Sequence, residues 1–326
     1  MTAPVLEVRN LTVDIPLENG MLHAVRDISF DVAKGETLCI VGESGCGKSL
    51  TSLAVMGLLP KKAQRGATTL SFGGQDISGL SERGMSRLRG DRMAMIFQEP
   101  MTSLNPAYTI GDQLTEVLIA HRSTSRKAAR DRAIHLLERV GITAAERRLT
   151  QYPHQLSGGL RQRVMIAMAL MCGPELIIAD EPTTALDVTI QAQILHLLIE
   201  LKQEIGLSLV LITHDLGVVA RVADKVAVMY AGEFVETGAV GEIFADPRHP
   251  YTRGLLDCVP APGVTKPGEL LGTIPGVVPS LIGEMKDCGF RERCTLAHEA
   301  CRKPIALHQL SEGRACRCVL AEERAA

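Results

Sequence analysis

The eight residues Gly42–Ser49, GESGCGKS, constrain this chain more than any other stretch. They match the pattern G-x-x-x-x-G-K-[ST]. ETLCIVG, an apolar run of the buried-strand type, precedes them, and KSLTSLAVMGLL, a helical pattern stopped at Pro60, follows. That order predicts a phosphate-binding turn inside an α/β core. The glycines let backbone N–H groups turn inward with no Cβ in the way. The helix starting near Lys48 aims its positive end at the phosphates. Lys48 reaches the β- and γ-phosphates, and the Ser49 hydroxyl suits Mg2+. Cys46 stands at a free position of the loop and reads as a small filler rather than a redox switch.

Further features support nucleotide chemistry. LIIADE puts Asp180 and Glu181 at the C-terminal end of a buried strand, where open α/β sheets bind ligands. Asp180 suits Mg2+ through its water shell, and Glu181 suits polarising a water beside the γ-phosphate. THD ends another strand with His214, in position for a γ-phosphate contact. Ser157, Gly158 and Gly159 precede a helix in QLSGGLRQRV and form a second anion site at a helix N-terminus. One nucleotide needs one cradle. Two such loops in one chain point to a dimer in which each chain offers its second loop to the other's nucleotide.

The surrounding pattern fits. LEVRNLTVDI and HAVRDISFDV alternate as strands around Gly20, and residues from about 86 to 172 read mainly as helices. SRKAARDRAIHLLERVGI places Ile134, Leu137 and Val140 on one face, with Gly141 as its cap. TIQAQILHLLIELKQEIG is a helix closed by Gly206, SLVLITHD is a buried strand, and KVAVMYAGEFVETG is a hairpin turning at Ala-Gly. Helices alternating with buried strands mean a mainly parallel core. The net charge of −2 gives no basic field for nucleic acid, and the absence of Trp argues against a base-stacking platform. The N-terminus lacks a secretory pattern and no apolar run is long enough to span a bilayer, so a cytosolic setting with reduced thiols is expected.

In this order the motifs resemble the ATP-binding subunits of ATP-binding cassette (ABC) transporters over about residues 5 to 260. The resemblance makes Gly42, Glu43, Ser44, Gly45, Cys46, Gly47, Lys48, Ser49 and Leu50 the ATP-binding residues of a Walker A loop. Leu176–Asp180 is similar to Walker B, Glu181 to the catalytic glutamate, and Gln98 in MIFQEP to the Q-loop glutamine. Leu156–Leu160 is similar to the signature loop, Asp187 to the D-loop aspartate, and His214 to the switch histidine. Ser49, Gln98 and Asp180 would hold Mg2+. Leu160 departs from the commoner Gln, and Ile15 replaces the aromatic that often stacks on adenine, leaving the base to apolar packing with Val25.

The implied fold is a RecA-like α/β core with an N-terminal antiparallel β subdomain and a helical subdomain (about 86–172), spanning residues 1–260. An irregular Pro/Gly-rich extension with a cysteine cluster fills 261–326. QEPMTSLNPAYTIGDQL, DEPTTALDVTIQAQIL and HPYTRGLL narrow the resemblance to the ATPases of oligopeptide, dipeptide and nickel importers. Such a subunit binds and hydrolyses ATP at the cytoplasmic face of the inner membrane. It works with a second ATPase chain, different or identical, two permeases and an extracytoplasmic binding protein. The segment after Gln98 would receive a permease's cytoplasmic coupling helix. Peptide import is the first reading; nickel or another small solute is the alternative. A soluble cassette acting on ribosomes or DNA fits less well, since there is one cassette and no basic excess. Gln98, Glu181 and His214 together argue against a non-hydrolytic sensor.

Five of the nine cysteines lie from Cys288 onward. Cys288, Cys294, Cys301 and Cys316 are not paired as C-x-x-C. Thiolates in a reduced compartment suit Zn2+ or an iron–sulfur cluster, and plain thiols fit as well. His298 could replace a cysteine around zinc. The spacing resembles the tails of peptide-importer ATPases, some of which hold a [4Fe–4S] cluster, and GRAC selects Cys316 over Cys318 as fourth ligand. The tail is expected to be a structural appendage far from the ATP chemistry.

Overall fold

The computed structural model describes residues 3–99, 103–183, 187–259 and 272–323. In chain order the first half supplies β1 (Leu6–Leu17), β2 (Gly20–Val32), β3 (Thr37–Val41), α1 (Lys48–Met56), β4 (Gln64–Gly66), β5 (Thr69–Phe72), β6 (Gln75–Asp76), α2 (Glu82–Leu88) and β7 (Met93–Ile96). Then come α3 (Ile110–His121), α4 (Arg126–Arg139), α5 (Ala145–Arg148), α6 (Gly158–Ala169), β8 (Leu176–Asp180), α7 (Val188–Ile205), β9 (Ser208–Thr213) and α8 (Leu216–Val222). The last part holds β10 (Lys225–Tyr230), β11 (Glu233–Ala239), α9 (Val240–Ala245), α10 (Pro250–Asp257), β12 (His308–Ser311), β13 (Arg314–Cys316) and α11 (Val319–Glu323). The chain packs as two compact units. One comprises Met1–Val5, Val32–Glu36 and Phe72–Leu211; the other comprises Leu6–Asp31, Thr37–Ser71 and Ile212–Ala326.

In the first unit α3, α4 and α6 pack on one another. Ser125 caps α4 by accepting a hydrogen bond from the Ala128 N–H, and Gly141 follows its last turn at φ 77°. The buried stripe of α4 runs through Ala129, Ala133, Leu136 and Leu137. Leu136 thus takes the place expected for Ile134, which is half-buried. The region expected to be mainly helical also holds a strand. MAMI forms β7, which pairs in parallel with β8 from Met93↔Leu176 to Ile96↔Ala179. Four residues of Met, Ala and Ile carry no decisive propensity, and pairing with the fully buried β8 settles their state.

In the second unit β10 is the organising strand. It pairs in parallel with β3, Lys225↔Leu38 through Val228↔Val41, and antiparallel with β11. The hairpin turns at Ala231 and Gly232, with φ 50° and 81°, as the twist of a two-residue turn requires. Every residue of β3 is buried, as in a sheet covered on both faces. The C-terminal extension is more regular than expected. β13 adds to β11 antiparallel (Glu236↔Cys316, Thr237↔Ala315), and β12 adds to β13. Upstream of these strands, Leu281–Gly283 runs along β2. There the His23 N–H donates to the Leu281 carbonyl, and the Gly283 N–H donates to the Met21 carbonyl.

The β10–β11 turn also grips the phosphate loop. The Gly232 N–H donates to the Cys46 carbonyl at 3.0 Å, and the Arg26 N–H donates to the Gly232 carbonyl at 2.7 Å. A Cβ on Gly232 would lie 3.2 Å from the Ala24 oxygen at a left-handed φ. Gly232→Val should therefore cost about 1–2 kcal/mol. The expected drop in Tm is about 2–4 °C per kcal/mol, measured by calorimetry, and an unchanged Tm would show that the turn tolerates a side chain.

Candidate nucleotide site

The loop Gly42–Ser49 runs from β3 into α1 as the sequence predicts. Its glycines have little room. A Cβ on Gly42 would stand 2.1 Å from the Met229 carbonyl oxygen, and one on Gly47 would stand 2.4 Å from the Ala24 oxygen at φ 107°. Gly45, by contrast, has open space around it, and with Ser44 it is exposed. The loop is thus pressed against backbone on one side and open at its crest. Gly47 caps α1 with no side-chain acceptor, as suits a helix N-terminus that receives an anion.

Lys48 is only 5% exposed. Its ammonium donates to the Gly42 carbonyl at 2.8 Å and to the Glu43 carbonyl at 3.0 Å, which arches the loop over it. Ser49 and Leu50 are half-buried on the first turn of α1. Cys46 is fully buried, and burial raises its thiol pKa despite the neighbouring Lys48, so it stays a neutral filler. The Glu43 amide is already engaged, donating to the Tyr251 hydroxyl at 2.9 Å. Val25 is fully buried in β2, and Ile15 is half-buried. The expected packing of a base on Val25 is therefore corrected: that side chain faces the core.

The first unit holds the acid-bearing strand end. Asp180 closes β8 with 5% exposure. Glu181 follows at φ 44°, a left-handed conformation that costs a non-glycine residue about 1–2 kcal/mol. Its carboxylate accepts a hydrogen bond from Gln98 Nε2 at 3.1 Å. The structure thus brings together two residues 83 positions apart. Ser157 is the N-cap of α6, its hydroxyl accepting from the Leu160 N–H, with Gly158 and Gly159 opening the helix. Asp187 is the N-cap of α7, accepting from the Ile190 N–H at 3.0 Å. In the second unit His214 is exposed just beyond β9, and Asp215 caps α8 behind it. Ser49 Oγ, the Asp180 carboxylate and the Gln98 amide oxygen are each the kind of hard oxygen donor that Mg2+ takes.

Sequence reasoning missed a contact to the loop from the C-terminal tail. Arg293 Nη1 lies 3.0 Å from both carboxylate oxygens of Glu43. The tail is therefore not remote from the phosphate loop, which corrects the expectation of a distant appendage. The only signal was the arginine inside CGFRERC, and nothing local to it names a partner 250 residues away.

The sequence-selected thiols do not fit a shared metal. Among the described residues, no three His, Cys, Asp or Glu side chains gather to hold an ion. Cys316 is fully buried on β13 opposite Glu236, and burial together with that carboxylate raises its pKa. Burial pushes Cys288 up to about 11, with smaller contributions from Cys301, Cys318 and Cys294. Cys318 likewise neighbours Cys294 and Cys301. Cys316 in turn packs in one buried cluster with Cys318 and Ala321.

This fold and these loops define an ATPase of the ATP-binding cassette class. The ABC transporter family model matches residues 25–184. The dimeric ATP-binding cassette MJ0796, in a post-hydrolysis state bound to ADP and Pi, superposes with a TM-score of 0.64 at 28% identity, covering 72% of this chain and 98% of that one. The oligopeptide/dipeptide transporter C-terminal region matches residues 235–301. A putative peptide import ATP-binding protein of Brucella ovis is 50% identical over 99% of both chains. The dipeptide transport ATP-binding protein DppD of Bacillus subtilis is 49% identical over 98% of this chain and 96% of its own. The chain belongs to this family of peptide-importer ATP-binding subunits.

The helix that brings Tyr251 to the loop depends on a buried histidine. His249 Nδ1 accepts from the Tyr251 N–H at 3.1 Å, and the His249 N–H donates to Glu236. Burial, and then Arg317, lower the His249 pKa to about 3. A histidine pKa depressed in the folded state gives stability that is present above the ordinary value near 6.5 and is lost as pH falls toward 3. Thermal melts should therefore weaken from about pH 6.5 downward. His249→Asn, which keeps a capping oxygen but does not titrate, should flatten that slope between pH 6.5 and 5; an unaltered slope would rule His249 out as its source.

Proposed function

We propose that this chain binds and hydrolyses ATP to energise peptide import, through residues 1–260 as the ATP-binding domain, with about 86–172 as its helical part and 261–326 as an extension. The observation that carries the reading is the Gly42–Ser49 loop, pinned by backbone on one side, arched over Lys48, and open at its crest. Triphosphate oxygens would take backbone amides of the Gly42–Ser49 loop, and the Lys48 ammonium would turn from loop carbonyls to the β- and γ-phosphates. Ser49, Gln98 and Asp180 would hold Mg2+, which would supply positive charge at the phosphates. Glu181 polarises the attacking water, Gln98 fixes its carboxylate, and His214 contacts the γ-phosphate.

Ser157, Gly158 and Gly159 would face the nucleotide of a second ATPase chain, a different subunit or another copy, with Asp187 beside that junction. ATP favours the closed pair because it contacts both chains only there. Two permeases at the cytoplasmic face of the inner membrane would receive the movement. An open groove in the first unit, lined by Ser103, Tyr108, Gln113, Glu116 and Ile119 among others, suits a permease's short cytoplasmic helix. Tyr108 and Ile119 are exposed, and such apolar side chains on an open groove suit an amphipathic partner. Among the described residues no helix is long and apolar enough to cross a membrane, so this reading leaves translocation to the permeases. An extracytoplasmic binding protein would supply the peptide; the names of the relatives support peptide over nickel.

Glu181→Gln is expected to bind ATP, stabilise the ATP-bound dimer and slow turnover at least a hundredfold, measured by phosphate release and gel filtration. Turnover near wild type would remove Glu181 from the chemistry. Neither a [4Fe–4S] cluster nor Zn2+ enters this mechanism.

A further inference from the structure

We infer that the C-terminal tail completes the phosphate loop, with Arg293 as a positioning residue for nucleotide binding that acts through Glu43. The inference rests on reading Gly42–Ser49 as the ATP cradle. Glu43 is an awkward residue for such a loop. Its carboxylate stands one residue into a turn whose task is to attract a polyanion, and in isolation it would repel the phosphates. Arg293 supplies the missing charge. Its side chain is 5% exposed and that of Glu43 is 30% exposed, so the pair is shielded from water on the arginine side.

The guanidinium is fixed from behind by the tail. Nε donates to the Pro275 carbonyl at 2.8 Å, and Nη2 donates to the Ile274 carbonyl at 3.1 Å. Nη1 is left for the carboxylate and for the Tyr230 hydroxyl at 3.4 Å. This division of donors needs a planar fork, which lysine lacks. The guanidinium also stands 5.7 Å from the Tyr230 ring centre and 6.0 Å from that of Phe290. Phe290 meets Tyr230 edge-on at 5.2 Å and Tyr251 at 5.4 Å. The Tyr251 hydroxyl in turn holds the Glu43 amide. Backbone and side chain of Glu43 are thus both gripped by residues beyond position 250. Together they turn the carboxylate toward the tail and cancel its charge before a nucleotide arrives.

The test measures ATPase kinetics of the full chain with its partner subunits. Arg293→Met should raise the KM for MgATP about tenfold while kcat stays within about twofold, since the chemistry residues are untouched. Glu43→Gln alone sets the reference KM of a loop without that charge. The double variant Glu43→Gln/Arg293→Met should match the Glu43→Gln single variant within about twofold, because without the carboxylate the arginine has nothing to cancel. A rise in KM that Glu43→Gln does not rescue, or no rise at all, overturns the inference. If Arg293→Met does not fold, Arg293→Lys carries the test. Its KM should rise by a smaller factor, about threefold, and fall back with Glu43→Gln; an unchanged or unrescued KM is again decisive against it. Lys48→Ala separates the two readings. Undiminished binding of a fluorescent ATP analogue by that variant defeats the cradle itself, whereas lost binding alongside an unaffected Arg293→Met defeats only the role of the tail.

Discussion

The second unit depends on one close approach: the loop Gly42–Ser49 against the backbone of β10 and β2. With 2.1 Å between a hypothetical Cβ on Gly42 and the Met229 oxygen, the loop has a single course. The β10–β11 turn enforces it, because two left-handed residues there bring the Gly232 amide onto the Cys46 carbonyl. Strand pairing, hairpin twist and loop shape are therefore one problem. β10 must lie beside β3 in parallel and turn sharply at Ala231, or the loop loses its floor.

A second layer grips the same loop from the far end of the sequence. Tyr230 ends β10, Tyr251 opens α10, and Phe290 stands in the tail; the three rings pack together. In a chain with so few aromatic residues, three of the ten Phe and Tyr side chains gather behind the phosphate loop. Their apolar bulk keeps water from Arg293 and from the buried hydroxyl of Tyr251, whose pKa burial drives upward so that it stays protonated. The contact with Glu43 is sheltered on the arginine side, where the side chain is 5% exposed.

Much of this was legible in the sequence. The loop, the buried strands β3, β8 and β9, the Ala-Gly hairpin and the helices closed by Gly141 and Gly206 follow from periodicity and from turn chemistry carried by neighbouring residues. The tail was less legible. Its strands are short and polar, and β13 exists because β11 offers an edge. The choice of Cys316 over Cys318 rested on GRAC within the family likeness, and no local pattern shows that the course of β13 sets Cys316 opposite Glu236. Family likeness singled out Gln98 and Glu181 separately, and their hydrogen bond appears only in the structure. Arg293 with Glu43 had no such guide, since a salt bridge across 250 residues leaves no local pattern.

That separation has a meaning in time as well as in space. Synthesis proceeds from the N-terminus, so the phosphate loop emerges long before the arginine that neutralises it. A nascent or prematurely ended chain presents Glu43 with its charge uncancelled, on a loop whose amide at that position lacks its tyrosine. The last stretch of the chain to be made thereby meets one of the first, through the pair Arg293 and Glu43.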